Sequence, residues 1–221
     1  IQEKISNFRK ITDFFERDQN YKKLIKRINN NEKNKNIQVL NVSEWVYKNI
    51  NKINHDEGVA IIDSHPWTIV ERKMGVNDQF SDILSVLLVY SGIDSFFMSR
   101  LNKTKHPITF FKQNNNWSLI DPYYGIYFLD DAGKFCNIDQ HRQNKCIFYH
   151  LEFGKISDNL LNKKKFENLV ALQNYYYFLF KDLPSAQKIN NTNIYNRGGR
   201  SYIQKPIHRF IYQIRVFFKF K

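Results

Sequence analysis

Cys136, His141, Cys146 and His150 form a Cys-x4-His-x4-Cys-x3-His series, and their sulfur and imidazole donors are those a zinc ion takes. Residues 146–153 read as a strand, which puts Cys146 and His150 on one face but about 13 Å apart. A single ion with bonds of about 2 Å cannot reach both. The expectation is therefore no metal, and two separate buried or half-buried thiols. Two cysteines in 221 residues exclude a disulfide-framework protein and fit a reducing compartment.

A second group of chemically capable residues is the basic tail. Residues 183–221 contain no acid, and they carry Lys188, Arg197, Arg200, Lys205, Arg209, Arg215, Lys219 and Lys221. These supply more than half of the net charge of +13. Ile207, Phe210, Ile211, Ile214, Phe217 and Phe218 recur at helical spacing, with Arg209, Arg215, Lys219 and Lys221 around them. Such a segment suits an amphipathic helix on an anionic membrane, at about 1 kcal/mol per basic residue near the surface. It equally suits a terminal helix packed on the domain with a solvated basic rim. A charge of this size favours polyanions in general, but no nucleic-acid-binding motif accompanies it.

The third group lies in the middle of the chain. Gly75-Val76-Asn77-Asp78-Gln79-Phe80 opens an apolar helix that closes at Ser91-Gly92-Ile93. His106 precedes a strand, and Trp117-Ser118-Leu119-Ile120-Asp121-Pro122-Tyr123-Tyr124-Gly125 follows. Upstream stands Val42-Ser43-Glu44-Trp45-Val46. In this order and spacing, residues 40–130 resemble the transglutaminase-like superfamily, of the papain-like cysteine-protease fold. The resemblance implies a thiolate at a helix N-terminus, stabilised by the helix dipole and open N–H groups. It also implies a histidine that accepts the thiol proton and an aspartate that orients the imidazole. Position by position, His106 is the base, Asp121 the orienter, and Asn77 stands where the nucleophile belongs. A carboxamide has no anionic form to match a thiolate. Ser81, one turn further on, points away from that position. Asn77 also reads as a plain helix N-cap, His106 as a loop residue and Asp121 as a turn opener.

The elements that must hold these residues follow from periodicity. Residues 3–29 read as a helix, residues 29–36 as a polar break, and a second helix begins with Ser43 as N-cap. Val59 to Ile62 is a short apolar run ahead of a loop at residues 63–66. Phe80, Ile83, Leu84, Leu87 and Leu88 form one helical stripe, stopped by Gly92. Strands are expected at 96–99, 108–112, 117–120, 124–129 and 146–153, with an Asn-rich hairpin turn at 113–116. An aromatic-rich helix follows at 166–180. The expected architecture is α+β, of the transglutaminase-like or papain-like kind: a central helix on an antiparallel sheet, N-terminal helices and a basic tail. The divisions are 1–40, 41–182 and 183–221.

With 42% apolar and 16% aromatic residues, the chain can build a core. No apolar run is long enough to span a bilayer. Ile1-Gln2-Glu3-Lys4 carries no signal-peptide pattern. The expected location is the cytoplasm, with the tail offering attachment to the inner face of a membrane. The resemblance implies no cofactor. The first functional expectation is a transglutaminase-like domain without thiol catalysis that binds or scaffolds a peptide or glycan in its cleft. A second is an active acyl-transfer or amide-processing enzyme working through His106 and Asp121. A third is a lipid- or polyanion-binding protein acting through its tail.

Overall fold

A computed structural model describes residues 7–53, 65–99, 101, 104–157 and 167–191. The amphipathic tail around Arg209, Arg215, Lys219 and Lys221, and the run at 59–62, lie outside the described residues.

The first helix, α1 (Asn7–Asn29), turns Tyr21, Leu24 and Ile25 inward. After a short turn, α2 (Lys35–Asn49) begins at Asn34, whose side chain accepts the Asn36 N–H at 2.9 Å. Ser43, expected at the start of this helix, is buried in its middle. The correction has a local cause. Val39, Val42 and Val46 make one inward stripe that starts a turn before Ser43, and the Asn34 carboxamide is the acceptor at the open N–H groups. Residue 40 consequently falls inside α2, and α1, α2 and the central helix share one apolar cluster.

A two-stranded parallel ladder, β1 (Asn51–Lys52) with β2 (Met74–Gly75), brackets a short helix, α3 (Pro66–Arg72). Pro66 suits the first helical turn, where its missing N–H has no helical partner to lose. The His65 ring accepts the Trp67 N–H at 3.1 Å. His65 and Pro66, expected in a loop, therefore cap and begin a helix.

The central helix, α4 (Asn77–Tyr90), is buried at every residue from Gln79 to Leu88. It ends in a Schellman turn. Gly92 takes φ +74°, Ile93 N–H reaches Leu88 O at 2.9 Å, and Gly92 N–H reaches Val89 O at 3.0 Å.

Six antiparallel strands follow as a simple meander: β3 (Ser95–Met98), β4 (Ile108–Gln113), β5 (Asn116–Asp121), β6 (Ile126–Leu129), β7 (Ile147–His150) and β8 (Gly154–Lys155). Asn114 and Asn115, at φ +45° and +65°, make the two-residue turn between β4 and β5. Two-residue alternation gives the sheet two buried faces. Ile108, Phe110, Trp117, Leu119, Ile126 and Phe128 pack in one cluster with α6 (Leu169–Phe180). Phe111 and Ile120 pack in the other with α4, where Thr109 Oγ1 also donates to Ser81 O at 3.2 Å. The fold is thus mixed α+β, with helices on an antiparallel sheet. Leu183 and Ile189, the latter in α7 (Ala186–Asn191), also join the α6 cluster. Among the described residues, no helix is long and apolar enough to cross a membrane.

Cys136 and Cys146 form a disulfide, which corrects the expectation of two separate thiols. The segment between them folds back through α5 (Ile138–Arg142), and Cys136 N–H pairs with Phe128 O at 3.0 Å. This reversal brings the two Cα atoms to 6.1 Å. The free thiols behind the reducing-compartment reading are therefore absent. Replacing both cysteines by serine should lower the unfolding free energy by about 3 kcal/mol, the loop-closure value for a separation of 10 residues. Urea denaturation checks this, and an unchanged midpoint would show that the cross-link contributes nothing.

Candidate functional site

Asp121 is the last residue of β5, and His106 sits two residues ahead of β4, so the neighbouring strands end at the same edge. Pro107 favours extended backbone at His106. The Asp121 carboxylate is fully buried, and His106 is 6% exposed. His106 Nε2 lies 2.7 Å from Asp121 Oδ2. The structure thus brings together the two residues that the resemblance pairs.

Asp121 is held from every side. Its Oδ1 accepts the N–H groups of Tyr123 at 3.1 Å and Tyr124 at 3.0 Å, as an aspartate opening a turn does. Its Oδ2 also accepts the Tyr176 hydroxyl at 2.7 Å. Burial pushes this carboxyl upward, but His106 and the hydrogen bonds from His106, Tyr124 and Tyr176 together outweigh it, leaving the pKa below its ordinary 3.8. Asp121 is therefore ionised and can only accept, so the proton between the two groups is assigned to His106 Nε2.

That tautomer leaves Nδ1 as an acceptor, and the Tyr175 hydroxyl lies 2.7 Å from it. Adjacent residues of one helix thus hold the two halves of the pair, Tyr175 on the histidine and Tyr176 on the aspartate. Tyr124 stacks parallel to the imidazole with centroids 5.9 Å apart, while Tyr175 and Tyr176 meet it edge-on. Burial, then the nearby Asp121 charge, raises the phenols of Tyr124, to about 12, and of Tyr175 and Tyr176. All three are neutral donors at ordinary pH.

Asn77 is the first residue of α4, and the N-cap is Val76. The expectation of Asn77 as N-cap is corrected by one position. The helix start is closed by Gln79, whose Oε1 accepts the Val76 N–H at 3.2 Å and Arg72 Nη2 at 2.8 Å. Asn77 Oδ1 accepts the Asp78 N–H at 2.8 Å. Phe80, in the first turn of α4, meets the Tyr123 ring edge-on at 5.2 Å. Lys52 Nζ lies 4.7 Å above the Tyr47 ring and 5.2 Å above Tyr123.

Tyr175 and Tyr176 were not legible as site residues. The sequence marks 166–180 as an aromatic helix, but nothing in its spacing ties that helix to a histidine far upstream. The Cys/His series also resolves differently from a ligand set. His141 is 1% exposed, with Nδ1 3.6 Å from the Cys146 sulfur and its ring against Phe128 and Phe180. His150 packs between Tyr47 and Phe153. Among the described residues, no group of three or more His, Cys, Asp or Glu could hold a metal ion.

Comparison of the chain with protein-family models, curated proteins and solved structures finds no match.

Two measurements test the electrostatics. Asp121→Asn leaves buried donors facing a carboxamide and should cost about 3 kcal/mol in chemical denaturation. The contribution of Asp121 is complete above its ordinary 3.8 and is lost as pH falls through its lowered folded value. A change below about 0.5 kcal/mol, the usual range for a surface substitution, would show that the network is not structural. Burial pushes His141 down to about 3, against a hydrogen bond to the Cys136 backbone that raises it. Its folded value lies below the ordinary 6.5, so this contribution is full above 6.5 and declines as pH falls toward 3. His141→Leu should flatten the fall in thermal stability across that window, by up to about 5 kcal/mol at its acid end; an unaltered slope would contradict a buried neutral imidazole.

Proposed function

We propose that this chain is a transglutaminase-like domain without thiol catalysis, acting as a binding or scaffolding module for a peptide or glycan. The papain-like form of its fold belongs to the same proposal. The observation that carries it is the engagement of His106 Nδ1 by the Tyr175 hydroxyl. Nε2 faces Asp121, so Nδ1 is the nitrogen that would take a thiol proton in a working enzyme. Here a phenol fills that place, and the start of α4 offers a carboxamide whose oxygen is already bonded to a backbone N–H. The two departures agree: there is no attacking sulfur, and the imidazole faces a phenol in its place.

A buried imidazole–carboxylate pair at the edge of a sheet that packs on an apolar helix still supports the kinship. The dipole of α4 suits an amide or acyl oxygen as a bound group. The positive charge of the chain, +13 overall, favours ligands with acidic substituents.

Restoring the sulfur tests the kinship. Asn77→Cys alone should react with iodoacetamide like an exposed cysteine. Asn77→Cys with Tyr175→Phe, which releases Nδ1, should react at least about tenfold faster, as expected for a thiolate paired with an imidazole. The gain should vanish with His106→Ala. Equal rates in the single and double variants would defeat the assignment. The wild-type chain, given an amide-bearing peptide and a primary amine, should leave both masses unchanged; release of ammonia would overturn the loss of catalysis.

A further inference from the structure

The hydrogen bonds around His106 form one continuous line: the Tyr175 hydroxyl with His106 Nδ1, His106 Nε2 with Asp121 Oδ2, and Tyr176 O–H to the same oxygen. Both links of the hydroxyl–imidazole–carboxylate series measure 2.7 Å. Exposure changes along it. Asp121 and Tyr176 are fully buried, His106 is 6% exposed, and Tyr175 is half-buried. The outer end of the line is therefore a hydroxyl, and its inner end is a carboxylate fixed by four hydrogen bonds.

We infer that the Tyr175 hydroxyl is the reactive group of this site, a nucleophile that takes an acyl group from an activated donor, an acyl thioester. A hydroxyl aimed at an imidazole whose far nitrogen is bonded to a buried carboxylate has the geometry that activates serine in hydrolases. The oxygen need not be ionised beforehand, because the base takes its proton as the bond forms. The Tyr175 oxygen bonds to the acyl carbon while its proton passes to His106 Nδ1, and Asp121 stabilises the imidazolium. The carbon–sulfur bond then breaks, and the leaving thiolate takes the proton from Nδ1. The products are an O-acyl tyrosine and a free thiol, with charge and electrons balanced.

Asp121 and Tyr176 act as positioning residues. The buried carboxylate fixes the Nε2–H tautomer, and the Tyr176 hydroxyl on the same oxygen holds that carboxylate in place. Tyr177, the next residue of the helix, is also half-buried with a phenol raised by burial, and it serves as an internal reference. The inference uses residues 106, 121, 175 and 176 alone and stands independently of the reading of Asn77.

The full chain is incubated with an acetyl thioester, and the peptide spanning α6 is sequenced by mass spectrometry over time. Acetylation of Tyr175 is expected at least about tenfold faster than that of Tyr177, and to fall to the Tyr177 rate in His106→Gln. Tyr175→Phe should keep its circular dichroism spectrum and lose the adduct. The rate in the wild type should rise much less steeply with pH than that of a phenol reacting unaided, which gains tenfold per pH unit until it ionises. This profile separates activation from simple exposure even where His106→Gln fails to fold. No adduct on Tyr175, a Tyr175 rate equal to that of Tyr177, or a rate that climbs as steeply with pH as that of an unaided phenol would overturn the inference.

Discussion

A fully buried carboxylate organises one end of this molecule. Removing an ion such as Asp121 from water costs several kcal/mol even after relaxation, and the cost is offset only if every lone pair finds a donor. The donors come from three separate parts of the chain. Two are backbone N–H groups of the turn after β5, one is the imidazole ahead of β4, and one is a hydroxyl from α6. Satisfying one side chain therefore ties the ends of two strands to a helix from a distant part of the sequence. A shift in any of the three would leave a buried group unpaired, so this end of the sheet has one acceptable arrangement.

That constraint is coupled to the two-faced sheet. α4 covers one face with an almost wholly buried surface, and α6 covers the other with Leu172, Tyr176, Leu179 and Phe180. Tyr176 belongs both to the apolar packing and to the polar network. Its ring packs against Phe128 and Phe148 while its hydroxyl reaches Asp121. Such a residue suits a site that must be dry and correctly aimed, because its apolar body fixes where its polar tip lies. The disulfide lies under the same helix, with His141 between its sulfur and Phe180. A cross-link there restrains the α5 segment against α6 and the sheet.

The central helix, its glycine stop and the sheet strands were legible because each depends on local rules. The apolar stripe from Phe80 to Leu88, the glycine at 92 and the Asn-Asn turn at 114–115 encode their own geometry within a few residues. Local rules also failed in identifiable ways. Ser43 has the chemistry of an N-cap, but a valine stripe beginning earlier placed it inside a helix. Asn77 has the same chemistry, but Gln79 closes that helix start from within and moves the cap to Val76. Cys136 and Cys146 read as two separate thiols, because nothing in their spacing signals that the segment between them turns back on itself through α5.

What the sequence determined by itself was the periodic part: which segments bury one face and where they stop. These follow from side-chain period and turn chemistry, which act over a handful of residues. Only the tertiary structure decided which groups surround the pair of His106 and Asp121. The approach of Tyr175 and Tyr176, 69 and 55 residues from their partners, and the joining of the two cysteines depend on chain reversals and packing across the sheet. No spacing rule carries that information, because the contact is set by which helix the apolar face of the sheet accepts.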